Sequence, residues 1–148
     1  VTWKDIEWLR SIWKGKLIIK GVLTPEDAES AVDAVADGVV VSNHGGRQLD
    51  GVASSISALP AVVEKLAGRA DILMDGGARS GLDVFRARAL GASGVMIGRP
   101  WAYAVAARGE AGVIKLLEAF KREMVVAMAL SGATSVEGIT PDNIQRDL

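Results

Sequence analysis

Four short, nearly continuous apolar runs constrain this chain more than any other feature: "LIIKG" (17–21), "GVVVSN" (38–43), "DILMDGG" (71–77) and "GVMIGRP" (94–100). They are rich in β-branched residues and do not alternate cleanly, which suits parallel strands buried on both faces. A helical stretch follows each. Thr24-Pro25 with Asp27, and Ser80 with Asp83, read as N-terminal caps. Ser57 is expected to cap a helix that carries Pro60 in its first turn. Thr2 with Asp5 opens an earlier helix, and Thr140-Pro141-Asp142-Asn143 a last short one. Gly68 and Gly91 mark helix ends. From 113 to 130, Val113, Leu116 and its neighbour Leu117, Phe120, Met124 and Ala127 fall on one helical face, which predicts a long amphipathic helix with that stripe in the core. The expected organisation over 1–148 is one helix, then four strand-helix units, the last ending in the long helix.

Strand-helix alternation implies a parallel α/β sheet with right-handed crossovers. Two architectures fit: an open doubly wound sheet, or part of a (β/α)8 barrel, which takes about 250 residues when whole. At 148 residues, four units make half a barrel. The strand ends favour the barrel. Each run closes on polar or glycine-rich residues: Lys20-Gly21, Ser42-Asn43-His44-Gly45-Gly46, Asp75-Gly76-Gly77 and Gly98-Arg99. A barrel gathers chemistry at the C-terminal rim of all its strands, whereas a doubly wound sheet concentrates it at one crevice.

Composition removes several function classes. Net charge is -1 with no basic block, which argues against a nucleic-acid partner. There is no cysteine, hence no disulfide, thiolate nucleophile or zinc ribbon, and no metal is called for. No apolar run reaches transmembrane length, and the charged start "VTWKDIEWLR" is unlike a signal peptide. The chain does not start with methionine, and a fragment or processed piece is the expectation.

At the rim, "DGGARSG" and "IGRP" each place glycines and an arginine before a helix. Backbone N–H groups, helix dipoles, Arg79 and Arg99 would together favour an anion, and barrels bind phosphate at their last two strand ends. The alternative is that the glycines serve turns and the arginines the surface. Lys20 interrupts an apolar run and shares a strand face with Ile18. It either points to water or looks into the barrel, where an amine needs an anionic partner. His44 is the only histidine. Most lone histidines are structural, but this one sits on the rim three residues before Arg47. An imidazole moves protons near neutral pH, and a guanidinium grips carboxylate. The pair suggests a base acting on a carboxylate-bearing substrate beside a phosphate-bearing cofactor.

These residues carry a resemblance. "SNHGGRQLDG", preceded by "LIIKG" and followed by "DGGARSGLDVFRARALGASGVMIGRP", resembles the FMN-dependent α-hydroxy-acid oxidases and dehydrogenases, the lactate-, glycolate- and mandelate-oxidising family. The last segment is shared with other phosphate-binding barrels, whereas "SNHGGRQLD" is much narrower. "LTPEDA", "SVEGITPD" and "WKDIEWLRSIW" resemble the bacterial L-lactate dehydrogenase branch most. The resemblance implies FMN as cofactor and a role for each matching residue. Lys20 would sit at the N1/O2 edge of the flavin, and Ser42 would also touch it. His44 would be the base and Arg47 the carboxylate clamp. Asp75, Gly76, Gly77, Ala78 and Arg79 would line the ribityl-phosphate arm, and Gly98 and Arg99 would complete the phosphate site. It implies oxidation of an L-2-hydroxy acid, lactate above all, to the 2-keto acid. The complete enzyme would be a cytoplasmic homo-oligomer, with the inner face of the bacterial membrane as a further location.

Against the family pattern, the chain carries only strands five to eight. The first four are missing, and with them the family's substrate-binding tyrosines and the aspartate that pairs with the histidine. The expectation is that this half-barrel is inactive alone and completed by an N-terminal half or a second copy. The rival is a non-catalytic phosphate- or flavin-binding half-barrel that homodimerises. A nucleotide dehydrogenase is disfavoured because its catalytic cysteine has no counterpart.

Overall fold

Capping side chains decide where the helices start. Thr24 Oγ1 accepts the Asp27 N–H (3.2 Å) and Ser80 Oγ the Asp83 N–H (3.1 Å), while Asp5 accepts the Thr2 N–H (2.6 Å). The computed structural model describes residues 1–144. In order it holds α1 (Trp3–Ile12), β1 (Ile18–Val22), α2 (Pro25–Asp33), β2 (Gly38–Val41), a 3-10 turn (His44–Gly46), α3 (Ser55–Leu66), β3 (Asp71–Met74), α4 (Gly81–Ala89), β4 (Gly94–Val95), α5 (Arg99–Ser131) and a closing 3-10 turn (Pro141–Asn143). Two expectations need correction. Ser54, not Ser57, caps α3, accepting the Ser57 N–H at 3.3 Å, so Pro60 lies in the second turn rather than the first. The long helix starts at Arg99 and is broken at Arg108 and Gly109, where the backbone leaves helical geometry.

The four strands are all parallel and lie in the order β1-β2-β3-β4. A doubly wound sheet reverses its strand order and carries helices on both faces. Here the order never reverses, and the main core lies on one face. Val39, Val41, Ile72 and Met74 from the sheet pack against Ala28, Ala31, Leu59, Val62 and Leu66 from α2 and α3. The architecture is an arc of a (β/α) barrel. The other face, the inside of the arc, carries Ile18 and Met96, which are 44% and 42% exposed.

A bulge in β1 allows both faces to be used. Lys20 pairs with Val40 and Val22 with Val41, leaving Gly21 as the extra residue at φ +98°. Plain alternation would put Val22 on the same face as Lys20. The inserted residue lets Lys20 face the inside of the arc while Val22 enters the core.

At the opposite end of the strands Asp37 ties α1 to the sheet. Its carboxylate accepts the Leu17 N–H (2.8 Å) and Lys16 Nζ (3.0 Å) and pairs with Arg10. Arg10 also donates to the carbonyls of Gly15 and Val35. The Leu17 amide first, then Arg10 and Lys16, hold the Asp37 carboxyl well below the usual carboxylate range. α5 rests on α4 along a seam, with Met124, Ala127 and Met128 packed against Phe85 and Ala89. Of the predicted stripe only Phe120 is buried, and Leu117 is 53% exposed. Among the described residues no helix is long and apolar enough to cross a membrane.

Candidate functional site

The C-terminal ends of β1, β2 and β3 are laced together by one amine. Lys20 Nζ donates to Ser42 Oγ (3.0 Å) and pairs with Asp75 Oδ2 (2.9 Å). An ammonium on an otherwise apolar strand face requires such partners. Ser42 has no exposed surface, and its hydroxyl also accepts the His44 N–H at 3.1 Å. It therefore stands behind the rim and connects Lys20 to the histidine loop.

That loop takes a rarely used path. His44, Gly45 and Gly46 all have left-handed φ, at +54°, +69° and +73°. The turn closes because Asn43 Oδ1 accepts the Gly45 N–H (2.9 Å), while the Asn43 N–H donates to Ser55 Oγ (3.1 Å) at the start of α3. A β-carbon on Gly76 would lie 2.6 Å from Asn43 Oδ1 and 2.8 Å from Ser55 Oγ. Only glycine lets the loops after β2 and β3 meet this closely.

Beyond Gly76 the chain runs through Gly77 and Ala78 to Arg79. The donors at the start of α4 are already taken: Arg79 N–H by Asp83, Asp83 N–H by Ser80, and Gly81 N–H by Glu123 Oε2 of α5 at 2.6 Å. An anion here would rely on the loop amides and guanidiniums more than on the α4 terminus. Across the rim, α5 opens with Gly98 as its cap, and Arg99 Nη2 comes within 3.9 Å of a β-carbon placed on Gly45.

These groups surround one cavity of about 430 Å³, a volume suited to a small ligand or cofactor. Every predicted site residue except Ser42 lines it: Lys20, His44, Arg47, Asp75, Gly76, Gly77, Ala78, Arg79, Gly98 and Arg99. Sequence reasoning did not single out Gln48, Met96 and Pro100, which also line it. Gln48 adjoins Arg47, and Met96 follows from strand parity. Asn43 and Ser55, which brace the loops from behind, left no readable signal, because "ASSISALP" offers several equivalent serines.

The wall carries four cationic side chains against the single carboxylate of Asp75. Arg47, Arg79 and Arg99 enter no ion pair among the described residues. The surplus positive charge suits an anionic ligand. Asp75 Oδ1 is buried without a hydrogen-bond partner. Such an acceptor is costly unless a donor reaches it, and a ligand hydroxyl would supply one.

The model of the FMN-dependent dehydrogenase family matches residues 1–146. The chain belongs to that family. Among curated relatives it is 62% identical over 139 residues to an L-lactate dehydrogenase of Caulobacter vibrioides, covering 94% of this chain and 36% of that protein. It is 58% identical over 148 residues to an L-lactate dehydrogenase of Allorhizobium ampelinum, covering 100% of this chain and 39% of that one. The chain thus spans well under half the length of the relatives it matches. Among solved structures, mandelate oxidase with 3,3-difluoro-2-hydroxy-3-phenylpropionic acid superimposes with TM-score 0.92 at 48% identity, covering 95% of this chain and 43% of that one. A mandelate oxidase mutant with the monooxide FMN adduct gives 0.89 at 49% identity, covering 92% and 43%.

Proposed function

We propose that these residues form strands five to eight of a (β/α)8 barrel in an FMN-dependent enzyme that oxidises an L-2-hydroxy acid to the 2-keto acid. Lactate is the favoured substrate, because the similar curated relatives are L-lactate dehydrogenases. The observation that carries the reading is the shared cavity, where His44 and Arg47 face the same space as Lys20 and the glycine-arginine cradle.

The wall fits FMN. The unpartnered Asp75 Oδ1 suits a ribityl hydroxyl. The segment from Gly76 to Arg79, with Gly98 and Arg99, would hold the phosphate, and Lys20 would lie beside the ring system. When bound, FMN supplies a two-electron acceptor. Arg47 would grip the substrate carboxylate through two N–H donors and fix its orientation. His44 would take the substrate proton on Nε2 as the general base. Ser42 and Asp75 would hold Lys20 in place at the rim.

The partly exposed inner face with Ile18 and Met96 supports a second set of strands closing the barrel, from an N-terminal half or a second copy. The test is anaerobic addition of L-lactate to the FMN-loaded protein, with and without a polypeptide carrying the first four strands. The flavin absorbance should bleach when the barrel is closed. In that closed form His44→Gln should retain FMN and fail to bleach. Bleaching by His44→Gln, or its loss of FMN, would remove His44 from the base role. Firm FMN binding without bleaching in any combination would favour a non-catalytic flavin-binding half-barrel.

A further inference from the structure

The bulge residue of β1 has a second consequence. A β-carbon built on Gly21 would lie 2.7 Å from His44 Nε2, 3.3 Å from Cε1 and 3.7 Å from Cδ2. The tip of the only imidazole in the chain therefore points at the backbone of Gly21. The ring lies this close to the strand only because Gly21 has no side chain; a β-carbon there would force the imidazole aside.

The histidine is held there against its backbone preference. His44 has φ +54°, uncommon for a residue with a side chain. Three contacts maintain it: Ser42 Oγ on its own N–H, Asn43 Oδ1 on the Gly45 N–H, and Ser55 Oγ on the Asn43 N–H. Strain of this kind persists where the surroundings over-determine it, typically at functional sites. Gly21 is itself at φ +98°, the extra residue of the bulge that turns Lys20 to the inside of the arc.

We infer that Gly21 is a positioning residue for the base. The β1 bulge both aims Lys20 at the cavity and gives the His44 ring a seat that any side chain at 21 would fill. This rests on the reading of His44 given above, and the seat and the base role are tested by different signals.

With a single histidine, ring labelling gives unambiguous imidazole resonances. In the wild-type protein these should show nuclear Overhauser contacts to the Gly21 α-protons. Gly21→Ala should move the ring resonances. The control Gly68→Ala, at φ +81° with nothing within 4 Å of its β-carbon, should leave them in place. In the closed, FMN-loaded barrel, Gly21→Ala should retain the flavin and lower kcat about 100-fold, with KM for L-lactate changed by less than about threefold. Should Gly21→Ala fold poorly, the cycle with His44→Ala decides: the alanine at 21 should cost less stability once the ring is gone. Absence of the wild-type contacts, unmoved ring resonances in Gly21→Ala, or strict additivity in the cycle would overturn the inference. Contacts present together with bleaching by His44→Gln would leave Gly21 as the seat and refute the base role instead.

Discussion

Gly81→Ala sets two opposing effects against each other. Alanine is the better helix former by about 1 kcal/mol in a helix interior, and by less in a first turn. Gly81 opens α4, so the gain is at most that. Against it, the added β-carbon would lie 2.0 Å from the Phe120 carbonyl oxygen, 2.7 Å from the Met124 amide nitrogen and 2.9 Å from Glu123 Cβ. Two of these are α5 backbone atoms, which cannot rotate away. Restoring an ordinary 3.4 Å contact with the carbonyl requires α4 and α5 to part by about 1.4 Å. Overpacking of this kind costs about 1–3 kcal/mol. The parting also stretches the Gly81 N–H to Glu123 hydrogen bond, a charged one worth about 1.5–3 kcal/mol. The clash wins, and net destabilisation should be about 2–4 kcal/mol. For a chain of this length that is a fall in Tm of roughly 5–15 °C. Thermal and urea unfolding measure it. Retention of FMN should weaken too, because Arg79 precedes α4 by two residues and moves with it. An alanine variant as stable as the wild type would refute the seam, since propensity alone would then decide the sign.

Ser42→Ala should destabilise by about 1–3 kcal/mol in urea titration, because the His44 N–H and one N–H of Lys20 lose their shared acceptor at a site with no exposed surface; an unchanged midpoint would show that water replaces the hydroxyl. Asp37→Asn should lower stability at pH 7. Since the folded carboxyl titrates below its ordinary value of about 3.9, its contribution is complete above that pH and is lost as the pH falls through the folded value. The gap between wild type and variant should therefore narrow below about pH 4, and a gap constant from about pH 7 to about pH 2.5 would contradict the hub at Asp37.

Legibility followed the range of the interactions. Thr24 and Ser80 were readable because a cap reaches only three residues ahead, to Asp27 and Asp83. The same rule failed at α3, where Ser54 and Ser57 are both serines in the right place. Ser57 donates back to the Ser54 carbonyl at 2.8 Å, so only the backbone path separates cap from capped. The segment from 99 to 112 gave no helical signal because Pro100, Gly109 and Gly112 are local breakers. Pro100 is tolerated at the start of a helix, and the break at Arg108 and Gly109 absorbs the second signal. The exposure of Leu117 was hidden for another reason. Periodicity gives the apolar stripe but not the width of the surface that receives it: Met124 and Ala127 pack with Phe85 and Ala89 of α4, while Leu117 stays 53% exposed.

The site was legible to the extent that strand parity governs it, and the bulge shows where parity stops. Counting alternate residues from Ile18 puts Lys20 inside the arc, as found, but would put Val22 there too. Val22 is in the core instead, because Gly21 is spent on the bulge. No local pattern announces this, since "KGV" is equally compatible with a regular strand. The registers of β1 and β2 together reveal it: two residues from Lys20 to Val22 match one from Val40 to Val41. The same geometry brings the bare backbone of Gly21 to His44, 23 positions along the chain. Residues whose role is to have no side chain are recognised only when their neighbours are placed, which is why Lys20 and His44 stood out in the sequence and the glycine between them in space did not.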